Sequence, residues 1–224
     1  AVDSSGNVFT TGHFNGTVDF DSGPGEVNLT SAGDSAAFVL KMDTNGAILW
    51  ARNLGAVGAT CSGNCLVLDA SGNVYTMGEF RSTVDFDPSG AVVNLTSAGI
   101  EDIFVQKMDT NGNFIWASSM GGNGYDTGSG IEVDGIGNVY TTGRVSGTPG
   151  FDTGESRVLL TSKGSYDVFV DKLCSDGGQR WARSMGCRRR VYNNSSSRDA
   201  FGHGATGRSF RVARAYEPGT RAGA

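Results

Sequence analysis

The sequence predicts an all-β protein made of three copies of one four-stranded antiparallel unit. The first observation behind this prediction is a repeat, because Trp50, Trp116 and Trp181 recur at intervals of 66 and 65 residues. The second is the composition, since 35 glycines among 224 residues, with 4 prolines and 9% aromatic residues, favour short strands joined by many turns. A fixed period of this kind indicates an array in which each unit buries its faces against its neighbours.

The repeat divides the chain into a repeat region, residues 1–186, and a tail. We place the three units at about residues 1–63, 64–129 and 130–186. The first unit begins part-way through the repeat, so we expect the chain to be a fragment of a longer one. After the third unit the pattern stops, and residues 187–224 are rich in Ser, Arg and Gly with no strand period. They predict a disordered or irregular tail, from an out-of-frame or chimeric end, that does not fold with the units.

Within each unit, alternating apolar and polar residues bounded by turn residues predict four strands, which we name A to D. Strand A is the least complete of the four, because the first unit begins within it. The predicted ranges are 64–69 and 130–134 for strand A; 7–14, 73–80 and 138–144 for strand B; 36–42, 102–108 and 167–173 for strand C; and 47–53, 113–119 and 179–185 for strand D.

Turn residues separate these strands at the same places in every unit. Asn45-Gly46, Asn111-Gly112 and Asp176-Gly177 lie between strands C and D, and they predict two-residue type I′ turns with positive φ at both central positions. Between strands B and C each unit inserts about twenty residues, for example residues 81–101, whose pattern predicts a small hairpin extension. A binding surface is most easily built on these extensions, because loops on a rigid scaffold tolerate variation.

Four antiparallel strands per unit are the content of one β-propeller blade, whose two faces are covered by neighbouring blades. Phe104 and Val105 are adjacent on strand C and so point to opposite faces, both of which are apolar. A tryptophan in every strand D is large enough to fill the wedge between blades. Ring closure takes roughly four to eight blades, so three units predict a partial, open β-propeller whose end faces promote association.

The repeated sequence resembles a known family. The run Gly-Asn-Val-Tyr-Thr-x-Gly (72–78) is followed by Asp-x-Phe-Val-x-Lys-Met-Asp (102–109), Asn-Gly-Asn-Phe-Ile-Trp-Ala (111–117) and Gly-Gly-Asn-Gly-Tyr-Asp (121–126). Together these motifs are similar to the SBBP-type β-propeller repeat. The resemblance covers residues 1 to about 186 and implies a propeller from a secreted or cell-surface bacterial protein, with no assigned reaction.

The charge of the repeat region argues against binding to nucleic acid, and the hydropathy of the chain argues against a membrane-spanning segment. The tail carries eight arginines and two acidic residues, a net charge of +6. Because the whole chain has a net charge of −5, residues 1–186 have a net charge of −11. An acidic repeat region argues against nucleic acid, because affinity for phosphate backbones is built from clustered Lys and Arg. No stretch reaches the roughly 18 apolar residues that cross a bilayer, so we expect no membrane span.

The cysteines do not follow the repeat. Cys61 and Cys65 are close enough in sequence for a local disulfide or for half of a zinc site. No second Cys or His pair completes a zinc site, so we favour free thiols in the core or in loops.

Four aspartates are the candidate metal ligands. Asp19 and Asp21, with their copies Asp85 and Asp87, stand two residues apart and project to the same face of a strand. Such a pair chelates a hard cation such as calcium, or flanks a glycosidic bond. The alternative, which we favour, is that they end strands and accept turn amides, since the third unit has Gly150 at the first position. We expect no cofactor other than calcium here.

Function is best sought where the copies disagree, at His13, Glu79 and Arg144 near the end of strand B. His13 has no evident nucleophile beside it in sequence, which argues against acid–base catalysis. We interpret the chain as a non-catalytic scaffold or binding module of a larger extracellular or cell-surface protein, with a protein or carbohydrate ligand. A carbohydrate-active hydrolase or lyase and a calcium-dependent adhesion module are the alternatives.

Overall fold

The computed structural model describes residues 1–152 and 157–186, and every regular element among them is a β-strand. The tail proposed at residues 187–224 lies outside the described residues, so the division into domains stays a prediction. No described segment forms a helix long and apolar enough to cross a membrane.

The strands are β1 (Val8–Phe14), β2 (Thr17–Asp19), β3 (Asn28–Thr30), β4 (Ala36–Met42), β5 (Ile48–Leu54), β6 (Thr60–Leu68), β7 (Val74–Arg81), β8 (Thr83–Asp85), β9 (Asn94–Thr96), β10 (Asp102–Met108), β11 (Phe114–Met120), β12 (Thr127–Val133), β13 (Val139–Val145), β14 (Gly150–Asp152), β15 (Arg157–Leu159), β16 (Asp167–Leu173) and β17 (Gln179–Met185).

Three antiparallel sheets carry the fold, and we call them blades 1, 2 and 3. Blade 1 has the order β1-β4-β5, blade 2 has β11-β10-β7-β6, and blade 3 has β12-β13-β16-β17. This is the predicted A-B-C-D order, and blade 1 retains only a single bridge, Val2 to Val8, at the place of strand A. The sheets do not close on one another, so the predicted all-β, partial and open propeller architecture is confirmed.

Each blade carries the predicted hairpin extension between strands B and C. The extensions are the two-stranded sheets β2-β3, β8-β9 and β14-β15. In blade 2 the extension places Phe86 against Phe80 and Phe104, with ring centroids 5.4 and 4.9 Å from theirs. The extension is therefore anchored in the apolar core by one aromatic ring.

Strand A differs from its prediction by a bulge. β6 begins four residues before the predicted start, and its pairing with β7 shifts register between Gly63 and Cys65. β12 has the same irregularity between Gly128 and Gly130. An extra residue on one strand breaks the period of two, so the alternation of apolar residues did not reveal the full strand.

The prediction of type I′ turns between strands C and D is wrong. Gly46 has φ of 85°, whereas Asn45 is not among the residues with positive φ. The Gly46 amide donates to the Asp43 carbonyl, and the Asp43 amide donates to the Ala47 carbonyl. The Asp43 carboxylate also accepts the Asn45 and Ala47 amides, each at 2.8 Å. These bonds hold a type I turn closed by a bulge at the glycine.

The core lies between the blades. One apolar cluster joins blade 1 to blade 2 and includes Phe9 and Val39 of the former with Phe104 of the latter. A second cluster joins blade 2 to blade 3 and includes Tyr75 of the former with Phe169 of the latter. Blade 2 is thus apolar on both faces because it packs against one described neighbour on each side.

The strand D tryptophans join neighbouring blades through hydrogen bonds as well as contact. Trp50 Nε1 donates to the Thr110 carbonyl oxygen at 3.1 Å, and Trp116 Nε1 donates to the Ser175 carbonyl oxygen at 3.0 Å. In both cases the acceptor belongs to the C–D turn of the following blade. We call this tryptophan-to-turn contact the clasp.

The bulge in β6 separates the two cysteines of that strand. Cys61 is buried in the cluster between blades 1 and 2, whereas Cys65 packs against the cluster between blades 2 and 3. Both are free thiols, so the local disulfide left open by the sequence is wrong. Burial raises the pKa of each thiol to about 12.

Candidate functional site

The three positions at which the copies disagree occupy one register position of strand B in successive blades. His13 pairs with Ala37 in blade 1, and Glu79 pairs with Ile103 in blade 2. Arg144 holds the same place in blade 3. A histidine, a carboxylate and a guanidinium therefore follow one another across the arc of blades.

A cleft opens between blades 1 and 2 where this row begins. Its volume is about 410 Å³. The cleft combines one aromatic ring with hydroxyl, imidazole, carboxylate and guanidinium groups. The polar side chains that line it include His13, Ser62, Glu79, Arg81 and Glu101.

His13 contacts a hydroxyl group from the neighbouring blade. Ser62 Oγ lies 3.3 Å from His13 Nδ1, and Ser62 is directly opposite Glu79 in the pairing of β6 with β7. Sequence reasoning missed Ser62, because only the stacking of blade 2 strand A against blade 1 strand B brings it near the histidine. Within the described residues no carboxylate hydrogen bonds to the His13 ring, so the pair lacks the acidic third member of a triad.

Glu79 is the carboxylate of the cleft whose pKa is shifted by its surroundings. Burial raises its pKa, and the nearby Glu101 carboxylate acts in the same direction. Three groups act against this rise: a hydrogen bond from Asn64 Nδ2 to Glu79 Oε2 at 3.0 Å, and the charges of Arg144 and His13. Glu79 is thus coupled electrostatically to both other members of the row.

Asn64 connects Glu79 to blade 3. It is the extra residue at the β6 bulge, and its Nδ2 also donates to the Gly128 carbonyl oxygen at 3.2 Å. The bulge therefore places one side chain where it bridges the Glu79 carboxylate and the next blade. This is a use of a bulge that the sequence period does not signal.

An ion pair closes the outer side of the cleft. Arg81 Nη2 lies 3.2 Å from Glu101 Oε1, and Arg81 Nε donates to the Ile100 carbonyl oxygen at 3.1 Å. Both side chains of the pair remain partly exposed, so its own contribution to stability is small, about 0 to 1 kcal/mol. Its effect is to offer charges of both signs to a molecule entering the cleft.

The four aspartates proposed as metal ligands lie in the hairpin extensions, away from this cleft. Asp85 Oδ1 accepts the amides of Asp87 and Val93 at 3.0 and 2.9 Å. Asp19 Oδ1 accepts the Asp21 and Val27 amides, each at 2.9 Å, and these bonds lower its pKa. No group of three or more Asp, Glu, His or Cys side chains able to hold a metal occurs in the described part of the chain. The calcium site stays a prediction.

Two known proteins are similar to part of this chain, and no family model matches it. An uncharacterized WD repeat-containing protein, L264, of Acanthamoeba polyphaga mimivirus is 32% identical over 116 residues, which is 46% of this chain and 8% of that protein. The regulatory protein FlaEY of Caulobacter vibrioides is 28% identical over 146 residues, which is 65% of this chain and 15% of that protein.

The matches cover a small fraction of both relatives, so they bear on the repeat and not on either whole protein. Likeness to a WD repeat-containing protein favours a β-propeller-type repeat, in agreement with the three blades. The two names describe a repeat protein and a regulatory protein, and neither describes an enzyme.

Proposed function

We propose that this chain is a non-catalytic β-propeller module of the SBBP type, part of a larger secreted or cell-surface protein, which binds a partner protein in the cleft between blades 1 and 2. One observation carries the proposal. The copied turn aspartates are occupied by hydrogen bonds within the fold, whereas two of the three side chains that differ between copies, His13 and Glu79, meet at the cleft and the third, Arg144, lies in blade 3.

The turn aspartates illustrate the first half of that contrast. Asp69 Oδ1 accepts the Ser71 and Asn73 amides, each at 2.9 Å, and Asp134 repeats this arrangement in blade 3. A carboxylate that accepts backbone amides stabilises its own turn and has little capacity left for a ligand. The repeated acidic residues thereby belong to the architecture.

The cleft illustrates the second half. His13, Glu79 and Arg81 differ in chemistry, and each comes from strand B or its end. A polar, mixed-charge cleft on a rigid sheet suits a partner that presents both donors and acceptors, such as a peptide segment.

Peptide display tests the binding role. We expect the full chain, immobilised, to enrich peptides whose binding weakens about tenfold or more when the charges of the cleft are neutralised by Glu79→Gln with Arg81→Gln. Asp176→Asn, on the exposed turn of blade 3, is the matched control and should bind as the wild type. Enriched peptides that bind all three proteins equally would remove the cleft from the proposal.

The contact between Ser62 and His13 favours one alternative, a hydrolase, since a hydroxyl beside an imidazole is the start of a nucleophilic pair. The carbohydrate-active form of this alternative uses the hairpin carboxylates. Release of reducing ends from a polysaccharide panel, lost in Ser62→Ala or in Asp21→Asn with Asp87→Asn, would establish an enzyme and overturn the non-catalytic proposal.

The extracellular location is tested by whether the complete reading frame encodes a cleaved signal peptide.

A further inference from the structure

A second cleft lies between blades 2 and 3, along β11. Its volume is about 450 Å³, within the roughly 300 to 1,000 Å³ of pockets that bind small ligands. Its walls include Thr96 from the hairpin of blade 2, Ser118 and Ser119 from β11, and Gly177 from the C–D turn of blade 3. This cleft shares no described lining residue with the cleft between blades 1 and 2, so the two are separate sites.

The corresponding place between blades 1 and 2 is bridged by two side chains of blade 1. Arg52 Nε donates to the Gly112 carbonyl oxygen, in the C–D turn of blade 2, at 3.1 Å. Asn53 Nδ2 donates to the Thr30 carbonyl oxygen, in the hairpin of blade 1, at 3.0 Å. A guanidinium and an amide therefore connect strand D of blade 1 to the next turn and to its own hairpin.

Blade 2 has neither of these bridging side chains. Serines stand in both places, at Ser118 and Ser119, and a serine is too short to make the same bonds. The copies of the two acceptor residues, Gly177 and Thr96, both line the cleft. The cleft between blades 2 and 3 thus keeps the acceptor residues of the two bridges without the side chains that donate to them.

Two further differences between the copies add acceptors to the cleft. Asp102, which is 3% exposed, brings a carboxylate where blade 1 has Ala36. Gln179, also 3% exposed, stands where blade 2 has Phe114, and within the described residues its Oε1 has no hydrogen-bond partner. No basic side chain is among the described residues that line the cleft. A ligand that suits this cleft therefore brings donors and a positive charge.

We propose that the cleft between blades 2 and 3 binds a guanidinium group, either on an arginine side chain of a partner protein or on a free small molecule. A guanidinium carries five N–H donors in a plane and a permanent positive charge, which suits carbonyl oxygens beside a carboxylate. The proposal goes beyond the proposed function and does not depend on the cleft between blades 1 and 2.

Arg52 shows how such a group is held at the copied place. Its Cζ lies 5.7 Å from the centroid of the Trp50 ring, in addition to the hydrogen bond to the next turn. The copy of that ring, Trp116, is two residues from Ser118 and so lies on the same face of β11. A bound guanidinium would thereby have an aromatic ring as well as acceptors.

Calorimetric titration of the full 224-residue chain tests the ligand class. The probes are arginine with both ends capped, the capped peptide Ala-Ala-Arg-Ala-Ala, and the same two molecules with citrulline, a neutral isostere, in place of arginine. We expect each arginine probe to bind at least about tenfold more tightly than its citrulline partner, because charge-assisted hydrogen bonds are stronger. A peptide that binds about tenfold or more above the single residue assigns the site to a partner protein, and equal affinities assign it to a small molecule.

Replacing Ser118 tests the location. Ser118→Arg restores the residue type of the other two blades, at Arg52 and Arg183, and its own guanidinium should occupy the acceptors. We expect it to weaken arginine binding by about 100-fold or more, with a Tm no lower than that of the wild type. Ser118→Ala leaves the cleft open and should bind within about twofold of the wild type. Ser5→Arg, on an exposed turn of blade 1, adds the same charge elsewhere and should bind as the wild type.

Three results would overturn the proposal. These are a wild type that binds neither arginine probe at millimolar concentration, equal affinities for arginine and citrulline, and a folded Ser118→Arg that binds arginine as the wild type does. The first two do not require any variant to fold.

Discussion

Replacing Asp171 by Asn should stabilise the protein above neutral pH. Asp171 is 0% exposed between blades 2 and 3, and burial raises its pKa from 3.8 to about 7. Hydrogen bonds from the Gln179 side chain and from Thr141 Oγ1, which lies 3.3 Å from Asp171 Oδ2, lower this pKa and offset the burial only in part. The corresponding residues of blades 1 and 2 are neutral, Leu40 and Gln106. Blade 3 therefore carries one ionisable group at a position that otherwise holds none.

The sign of the effect follows from the raised pKa. Below about pH 4 the Asp171 carboxyl is protonated in both the folded and the unfolded chain, so at these pH values it does not lower the free energy of unfolding. As the pH rises toward about 7, the unfolded chain is ionised at this residue while the folded chain keeps the buried carboxyl protonated, so the free energy of unfolding falls until the folded chain ionises as well. A shift of about three pKa units corresponds to about 4 kcal/mol, an upper limit for the loss. Asp171→Asn abolishes the ionisation, so its advantage over the wild type should grow with pH up to about 7 and then level off.

Urea unfolding followed by tryptophan fluorescence measures the free energy of unfolding of the wild type and of Asp171→Asn at steps of one pH unit from pH 5 to pH 9. The control is Asp126→Asn, because burial also raises the pKa of Asp126, to about 6. The Asp126 oxygens accept the Gly122 and Ser146 amides, each at 2.8 Å, so an amide nitrogen there would face a donor and bring no gain. The reasoning is refuted if Asp171→Asn is no more stable than the wild type at pH 9.

Three further predictions concern the glycines, the thiols and the hairpins. Gly78→Ala should destabilise the fold by about 3 kcal/mol in urea unfolding, because its Cβ collides with a backbone carbonyl of β6. Gly12→Ala, at the same position of blade 1, meets only a phenylalanine ring and should cost less. Cys61, which is 1% exposed, should not react with a disulfide reagent at pH 8 until the chain is unfolded, and its rapid reaction in the folded protein would contradict its burial. Cys65 is only half-buried and should react faster than Cys61. If the hairpin carboxylates bind calcium, EDTA will lower the Tm, whereas their role in turns predicts no change and a loss of about 1 to 3 kcal/mol for Asp85→Ala.

Strands B, C and D were predictable because their signals are local. The three strand C ranges, 36–42, 102–108 and 167–173, agree with the structure residue for residue. Apolar residues on both faces suffice for that, together with a turn after each strand whose fourth residue is glycine, Gly46, Gly112 or Gly177. The turn type was not predictable from Asn45-Gly46 alone: the Asp43 carboxylate accepts two amides of its turn, but blade 3 has the same backbone hydrogen bonds with Cys174 in that place.

The candidate site was predictable only in part. The differences between copies drew attention to His13 and Glu79, and both lie at the cleft. Ser62 and Asn64 were missed, since Ser62 reaches His13 through blade stacking and Asn64 reaches Glu79 through a bulge. Neither cause is visible in a sequence period, because the first depends on contacts between units and the second on one inserted residue.

The clasp has a consequence for how such chains change over time. Trp50 and Arg52 reach the next blade at backbone carbonyl oxygens, of Thr110 and Gly112 respectively. Every residue type supplies a carbonyl oxygen, so the hydrogen bonds of Trp50 and Arg52 depend on the backbone path of the neighbouring turn and on the absence of a Cβ at its glycine. Trp116 shows this directly, because its acceptor is Ser175 in a turn of different sequence. Units joined in this way can be duplicated, lost or exchanged as whole blades, and can diverge in sequence, without each substitution requiring a compensating substitution in the neighbouring blade.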